Sequence, residues 1–289
     1  MKVGGFSFVR NAIVYDYPIV EAITSILPLV DEFVVAVGKS DDETLALIQG
    51  IDSDKLRIVE TVWDDSLREG GRVLAVETDK AFDALSPDMD WAFYIQGDEV
   101  VHEADWPAIR AGMEQWKDSP EVEGLLFHYR HFYGSYDYVG DSRGWYRNEV
   151  RIIRNDKSIR SYRDAQGFRK NDQKLRVKRV DAHINHYGWV KPPEAQQAKQ
   201  LTFNKLWHDD QWVEQNIAPG NEFDYSDVDA LKRFTGTHPK VMQPRVDAMN
   251  WKFDHDLSKK NFTAKEWLAY GVEKATGWRM GEYRNFRLI

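Results

Sequence analysis

Two adjacent carboxylates, Asp98 and Glu99, follow an apolar run at 91–95 and the polar pair Gln96-Gly97. A strand that delivers carboxylates to its C-terminal edge suits a divalent cation, because hard cations take oxygen ligands and bridge protein carboxylates to substrate phosphates. The same residues also make an ordinary solvated turn. A second cluster reads Asp181-Ala182-His183-Ile184-Asn185-His186-Tyr187-Gly188. Histidines three apart on a strand face opposite ways, so both serve one ion only where the strand has ended. His128 and His131 share that spacing. The loop Arg68-Glu69-Gly70-Gly71-Arg72 precedes a helical stretch, where two cations and backbone N–H groups could meet a phosphate, or where the chain simply turns. With no Cys in the chain, thiolate metal sites and cysteine nucleophiles are excluded.

The elements that must position these residues show in the apolar periodicity. Strands are expected at 3–9, 32–37, 56–62 and 91–95, with helical segments between them from about 17, from 41 or 42 to about 49, and at about 72–85. This alternation argues for βαβ units and a mostly parallel sheet, whose ligands bind beyond the carboxyl ends of the strands. The polar turns after 37 and 95 would meet there. Longer strands at 122–132, 148–154 and 175–183 suggest antiparallel or mixed additions, and helices are expected at about 193–207 and 263–276. The arginines of the alternating stretch 147–154 either bind phosphate or decorate a solvent face.

The chain has 289 residues, 42% of them hydrophobic, which argues against disorder. Asp plus Glu number 47 against 39 Lys plus Arg, so general nucleic-acid binding is not expected. No apolar run approaches a transmembrane length and the N-terminus lacks a secretion signal, so a cytoplasmic protein is expected. Eleven Trp and thirteen Tyr suit either sugar- or base-binding grooves or aromatic packing; Tyr133, Tyr136 and Tyr138 are candidates for an acceptor wall.

Residues 6–44 together with Gln96-Gly97-Asp98-Glu99 resemble the family 2 glycosyltransferases of the GT-A fold, in the bacterial group with a D-A-D-E-like metal motif. The resemblance implies an α/β, Rossmann-like fold with a mixed central sheet, helices on both faces and a C-terminal helical and aromatic extension. It implies a catalytic core over 1–190, divided near residue 100 into nucleotide and acceptor halves, with 191–289 packed on it. It assigns Mn²⁺ or Mg²⁺ to Asp98 and to the late histidine, His186. Contacts to a nucleotide-sugar donor, UDP- or GDP-linked, would come from Phe8, Arg10, Asn11, Ser40, Asp41, Arg68, Arg72, Gln96 and Gly97. Two departures bear on the donor: Gln96 replaces the first Asp of the motif, and Val37 and Gly38 stand where the family's leading Asp pair would recognise uracil.

The activity so implied is metal-dependent transfer of a sugar to a carbohydrate-like acceptor, with inversion, by a protein that could form a homodimer. Inversion requires a carboxylate to take the acceptor hydroxyl's proton. Glu149 and Asp164 are the candidates, with Asp137 and Asp141 behind them. Gly236-Thr237-His238-Pro239 also looks like an element of this group; His238 would touch the diphosphate or pin a loop. The competing readings are a nucleotidyltransferase and a non-catalytic nucleotide- or carbohydrate-binding protein on the same fold.

Overall fold

The computed structural model describes residues 1–289 except 65, 68, 206, 208, 209 and 217–219, and the side chains of 69 and 210. The chain begins β1 (Val3–Val9), α1 (Ile19–Ile26), β2 (Glu32–Gly38), α2 (Thr44–Gln49), β3 (Leu56–Thr61), α3 (Arg72–Asp83), β4 (Trp91–Tyr94), β5 (Glu99–Val101) and α4 (Trp106–Trp116). It continues through β6 (Gly124–Tyr133), β7 (Ser135–Gly140), β8 (Asn148–Arg154), β9 (Ile159–Tyr162), β10 (Gly167–Lys170), β11 (Gln173–Lys174) and β12 (Arg176–Trp189). The last third holds α5 (Pro193–Lys205), α6 (Asp210–Asn216), β13 (Leu231–Arg233), α7 (Gln243–Asp247), α8 (Ala264–Thr276) and β14 (Arg287–Leu288).

The main sheet runs β13-β7-β6-β8-β4-β1-β2-β3, with β12 beside β6 and carrying β5 and β14. Its first half is parallel, β1 pairing with β2 and β4, and β2 with β3. Strand β8 then inserts antiparallel between β4 and β6. This is the expected mixed α/β sheet. Strand alternation sorts the apolar side chains: Phe33, Val35, Trp91 and Phe93 pack on one face with Ile19, Ile23 and Ile26 of α1, Ile48 of α2 and Ile109 of α4. Val34, Ala36, Ala92 and Tyr94 pack on the other with Val73 and Phe82 of α3 and Phe168 of the small β9–β11 sheet. Helices therefore cover both faces.

The C-terminal residues are tied to the sheet at two strands: β13 pairs with β7 and β14 with β12. Helix α8 has no buried residue of its own. It is delimited by a capping box between Thr263 and Glu266 and by Gly277 at φ 71°. Tyr133 and Tyr138 sit in one aromatic core cluster with Tyr225 and Leu231, and Tyr136 in another with Phe132, Tyr187 and Met242. The expected acceptor wall of tyrosines is thus core packing, because residues 223–253 fold over the β6–β7 hairpin. No helix among the described residues is long and apolar enough to cross a membrane.

Candidate functional site

Strand β4 leads through Gln96-Gly97-Asp98 into β5, which lies antiparallel to β12 with Glu99 opposite His186. The turn is closed by the Glu99 N–H donating to Gln96 O at 3.1 Å and the Gln96 N–H donating to the Glu99 carboxylate at 3.0 Å. The two adjacent carboxylates part company here. Glu99 is fully buried and gripped by Arg151, whose Nη2 and Nε donate at 2.6 and 2.8 Å, and by the Tyr129 hydroxyl. A buried, doubly bonded ion pair of this kind anchors structure, since removing either partner strands a charge. Of the two, Asp98 lines the neighbouring cleft.

Asp98 Oδ2 lies 3.0 Å from Lys199 Nζ and 3.6 Å from His186 Nε2. Burial pushes the carboxyl's pKa up, but Lys199, His186 and Lys191 override it and hold it well below the ordinary carboxylate range. A Cβ at Gly188 would fall 2.4 Å from His186 Nε2 and 2.7 Å from Asp98 Oδ2, so only glycine leaves the cluster room. His131, kept neutral mainly by burial, donates from Nε2 to Tyr146 O at 3.0 Å. Its Nδ1 must then accept from His186 Nδ1 at 3.3 Å, which aims His186 Nε2 at Asp98. On the other face of the same strands His128 and His183 stack at 5.2 Å, away from this cluster.

These groups open onto a cleft of about 720 Å³ at the carboxyl ends of the parallel strands. Phe8, Arg10, Asn11, Asp41, Gln96, Gly97, Asp98, Asp164 and His186 all line it, so sequence reasoning collected most of one wall. Asn11 and Asp41 clasp each other, Asp41 N–H donating to Asn11 Oδ1 at 2.8 Å and Asn11 Nδ2 to Asp41 Oδ2 at 3.2 Å. Arg10 stacks over Trp63 with 5.4 Å to the ring centre. Ser40 stands behind, its hydroxyl accepting from the Asn11 N–H at 3.0 Å. Arg72 is exposed at the start of α3 and does not line the cleft. Arg68 lies outside the described residues.

The two expected bases are placed differently. Asp164 projects into the cleft from the β9–β10 turn, between Arg163 and Ala165, whose φ values of 57° and 62° are unusual for side-chain-bearing residues. Partial burial raises its carboxyl above the ordinary value. Glu149 does not reach the cleft. It is buried 3.6 Å from Arg151, and burial, only partly offset by Arg151, pushes its carboxyl up to about 8. Asp141 is taken by Tyr270, Lys274 and Lys260, while the backbone carbonyl of Asp137 accepts from the Phe234 N–H. His238 pins a loop, sharing a 2.9 Å hydrogen bond with the Tyr187 hydroxyl.

Sequence reasoning missed the wall supplied by α5. Gln196, Lys199, Gln200 and Phe203 line the cleft at spacings of three, four and seven residues, one face of a helix. That polar stripe was the available signal. The Gln196 amide is fully buried, yet neither its oxygen nor its nitrogen has a partner within the described residues. The Trp63 indole N–H in the same cleft is likewise unmatched. Buried polar atoms without partners are rare in native proteins and mark where a ligand's polar groups fit.

No family model and no curated protein matches the chain. Among solved structures it is similar to S. aureus TarS, at 13% identity and a TM-score of 0.38 over 70% of this chain and 39% of that one. It is also similar to Mycobacterium tuberculosis glucosyl-3-phosphoglycerate synthase in complex with Mn²⁺, UDP and glucosyl-3-phosphoglycerate, at 18% identity and a TM-score of 0.29, covering 46% and 44% of the two chains. The 4-diphosphocytidyl-2C-methyl-D-erythritol synthase of Anaerococcus prevotii shares 11% identity with a TM-score of 0.35, covering 66% and 89%. The chain thus spans less than half of these TarS and glucosyl-3-phosphoglycerate synthase chains.

Proposed function

We propose that the protein is a GT-A-type glycosyltransferase that passes a sugar from a nucleoside diphosphate donor to a carbohydrate-like acceptor with inversion. One observation carries this reading: a single strand-end cleft gathers the Asp98–His186–Lys199 cluster, an aromatic and amide lining, and a separate half-buried carboxylate, Asp164. In the reaction the acceptor oxygen bonds to the anomeric carbon while the bond from that carbon to the β-phosphate oxygen breaks, its electron pair leaving with the diphosphate. The acceptor's proton passes to Asp164. Arg10, Asn11 and the amides of Gln96 and Gln196 orient the donor, and Phe8 and Trp63 offer ring faces to base or sugar.

A resident Mn²⁺ or Mg²⁺ would take Asp98 and His186 as its protein ligands. The residues present do not fit one well: the Lys199 ammonium sits on the very Asp98 oxygen that faces His186. Among the described residues no group of three His, Asp or Glu side chains is placed to hold an ion. Hard cations want an oxygen-rich shell and no ammonium within it. No step of the reaction above is therefore routed through a metal.

The test is incubation with UDP-, GDP-, CMP- and dTDP-sugars and a mixture of saccharide acceptors, following nucleotide release and transferred label. Acceptor-stimulated release from one nucleotide family is expected. Pyrophosphate release from a nucleoside triphosphate would replace this reading with a nucleotidyltransferase, and binding without product would replace it with a binding protein.

A further inference from the structure

We propose that the Lys199 ammonium is the built-in counter-charge for the leaving diphosphate, standing at Asp98 in the place of a divalent cation. This rests on the transferase reading and deepens it.

The geometry is that of a positioned cation rather than a surface lysine. Its side chain is 14% exposed, although it lines the cleft. Of its three N–H donors one is directed to Asp98 Oδ2 at 3.0 Å and one to Gly188 O at 3.1 Å. Among the described residues these two are the acceptors it has, which leaves the third N–H for a phosphate oxygen. The Tyr17 ring, which also lines the cleft, lies 5.0 Å beneath the ammonium and buttresses it. A second lysine, Lys191, is fully buried against the same ring at 4.6 Å and donates to Tyr15 O at 2.7 Å; burial, with Lys199 beside it, pushes its pKa well below the ordinary lysine range, so the counter-charge comes from Lys199 alone. One turn before Lys199, Gln196 brings its unmatched amide to the same wall, suited to a phosphate or sugar hydroxyl.

Charge develops on the β-phosphate oxygen as its bond to the anomeric carbon breaks. A preoriented donor in a water-poor site lowers that barrier, and an ammonium held by a carboxylate needs no reorganisation to do so. Lys199 keeps its proton throughout; it donates a hydrogen bond and transfers nothing. Asp98 is then the holder of Lys199, and Gly188 leaves the room in which Asp98 and His186 stand beside it.

The experiment measures calorimetric affinity for inorganic pyrophosphate, with UDP, GDP, CDP and dTDP as competitors, in EDTA and again with Mn²⁺, for the intact protein and for Lys199→Met. Pyrophosphate is expected to bind the intact protein in EDTA, and Lys199→Met to weaken it about 10- to 100-fold. Binding of the intact protein that appears only with Mn²⁺ overturns the proposal without any variant, so a misfolded Lys199→Met cannot shield it. A folded Lys199→Met that binds as the intact protein does also overturns it. Pyrophosphate binding in EDTA that depends on Lys199, with no competition from any nucleotide, upholds Lys199 and removes the nucleotide-sugar reading. Nucleotide binding strictly dependent on Mn²⁺ does the reverse.

Discussion

Asp164 and Glu149 show how environment assigns work to two carboxylates of similar chemistry. A base must be ionised near neutral pH and must reach the acceptor. Asp164 lines the cleft, whereas Glu149 is buried behind it and keeps its proton up to about pH 8. Asp164→Asn is therefore expected to lower turnover about 100-fold or more with donor affinity unchanged, measured by steady-state kinetics beside nucleotide titration. Equal losses in turnover and donor affinity would instead make Asp164 a donor ligand. For Glu149 the expected signature is stability. The unfolded chain ionises this carboxyl near its ordinary value of 4.5, while the native chain delays ionisation to about 8. Native stability therefore falls as pH rises between those values and the loss is constant above them. Glu149→Gln should remove a cost of about 2–5 kcal/mol at pH 8.5 and little at pH 4.5. Thermal melts at both pH values check this; a variant less stable at both would show the Arg151 pair to dominate.

Among the elements, the loop entering α3 and the β9–β10 turn depend on one close approach. Gly70 and Gly71 both have positive φ, 63° and 67°, but a Cβ on Gly70 meets nothing within 4 Å, while one on Gly71 falls 2.8 Å from Asp164 Cβ and 3.2 Å from the Trp207 ring. Gly70→Ala should cost only the backbone term, about 1–2 kcal/mol. Gly71→Ala should cost that plus displacement of Asp164, and should lose turnover that Gly70→Ala retains. Matched melting and kinetic curves for the two variants would show that Asp164 has slack. The comparison also marks what could be read from sequence. Strands β1 and β8 were legible to the residue, because apolar runs and strict alternation leave one register that buries them. Helix α4 was not foreseen, since it buries only Ile109 and Met113. Asp98 was legible at a strand end and His186 by its type, although it lies inside β12, whereas the α5 stripe shows Lys199 only as one polar residue of a helix face, and its meeting with Asp98, far upstream in the chain, is made by tertiary packing.

Across the whole molecule, residues 223–253 are packed into apolar clusters, whereas helix α8 is held by polar links, and this sets its vulnerability. Helix α8 contributes no buried side chain, yet Tyr270 and Lys274 on it, with Lys260 before it, converge on Asp141 at the end of β7. Beyond α8, Arg147 bonds Glu282 at 2.8 Å, and the Arg169 guanidinium donates to Asn285 O at 2.7 Å. Partial burial alone would raise the Asp141 carboxyl, but Lys274 and Tyr270 hold it below its ordinary value. Its contribution is accordingly present above that value and lost as pH falls through the lowered one. Asp141→Ala should release α8 at a cost of about 2 kcal/mol, the scale of hydrogen bonds to a charged group. Because the sheet is sealed by two apolar faces that do not include α8, amides at 264–276 should exchange faster in the variant, or below about pH 4, while those of β1, β2 and β4 stay protected. Hydrogen exchange followed by peptide mass analysis reads both at once. Uniform acceleration across the chain would mean that α8 belongs to the same cooperative unit as the sheet, and that its polar anchors stabilise the whole fold.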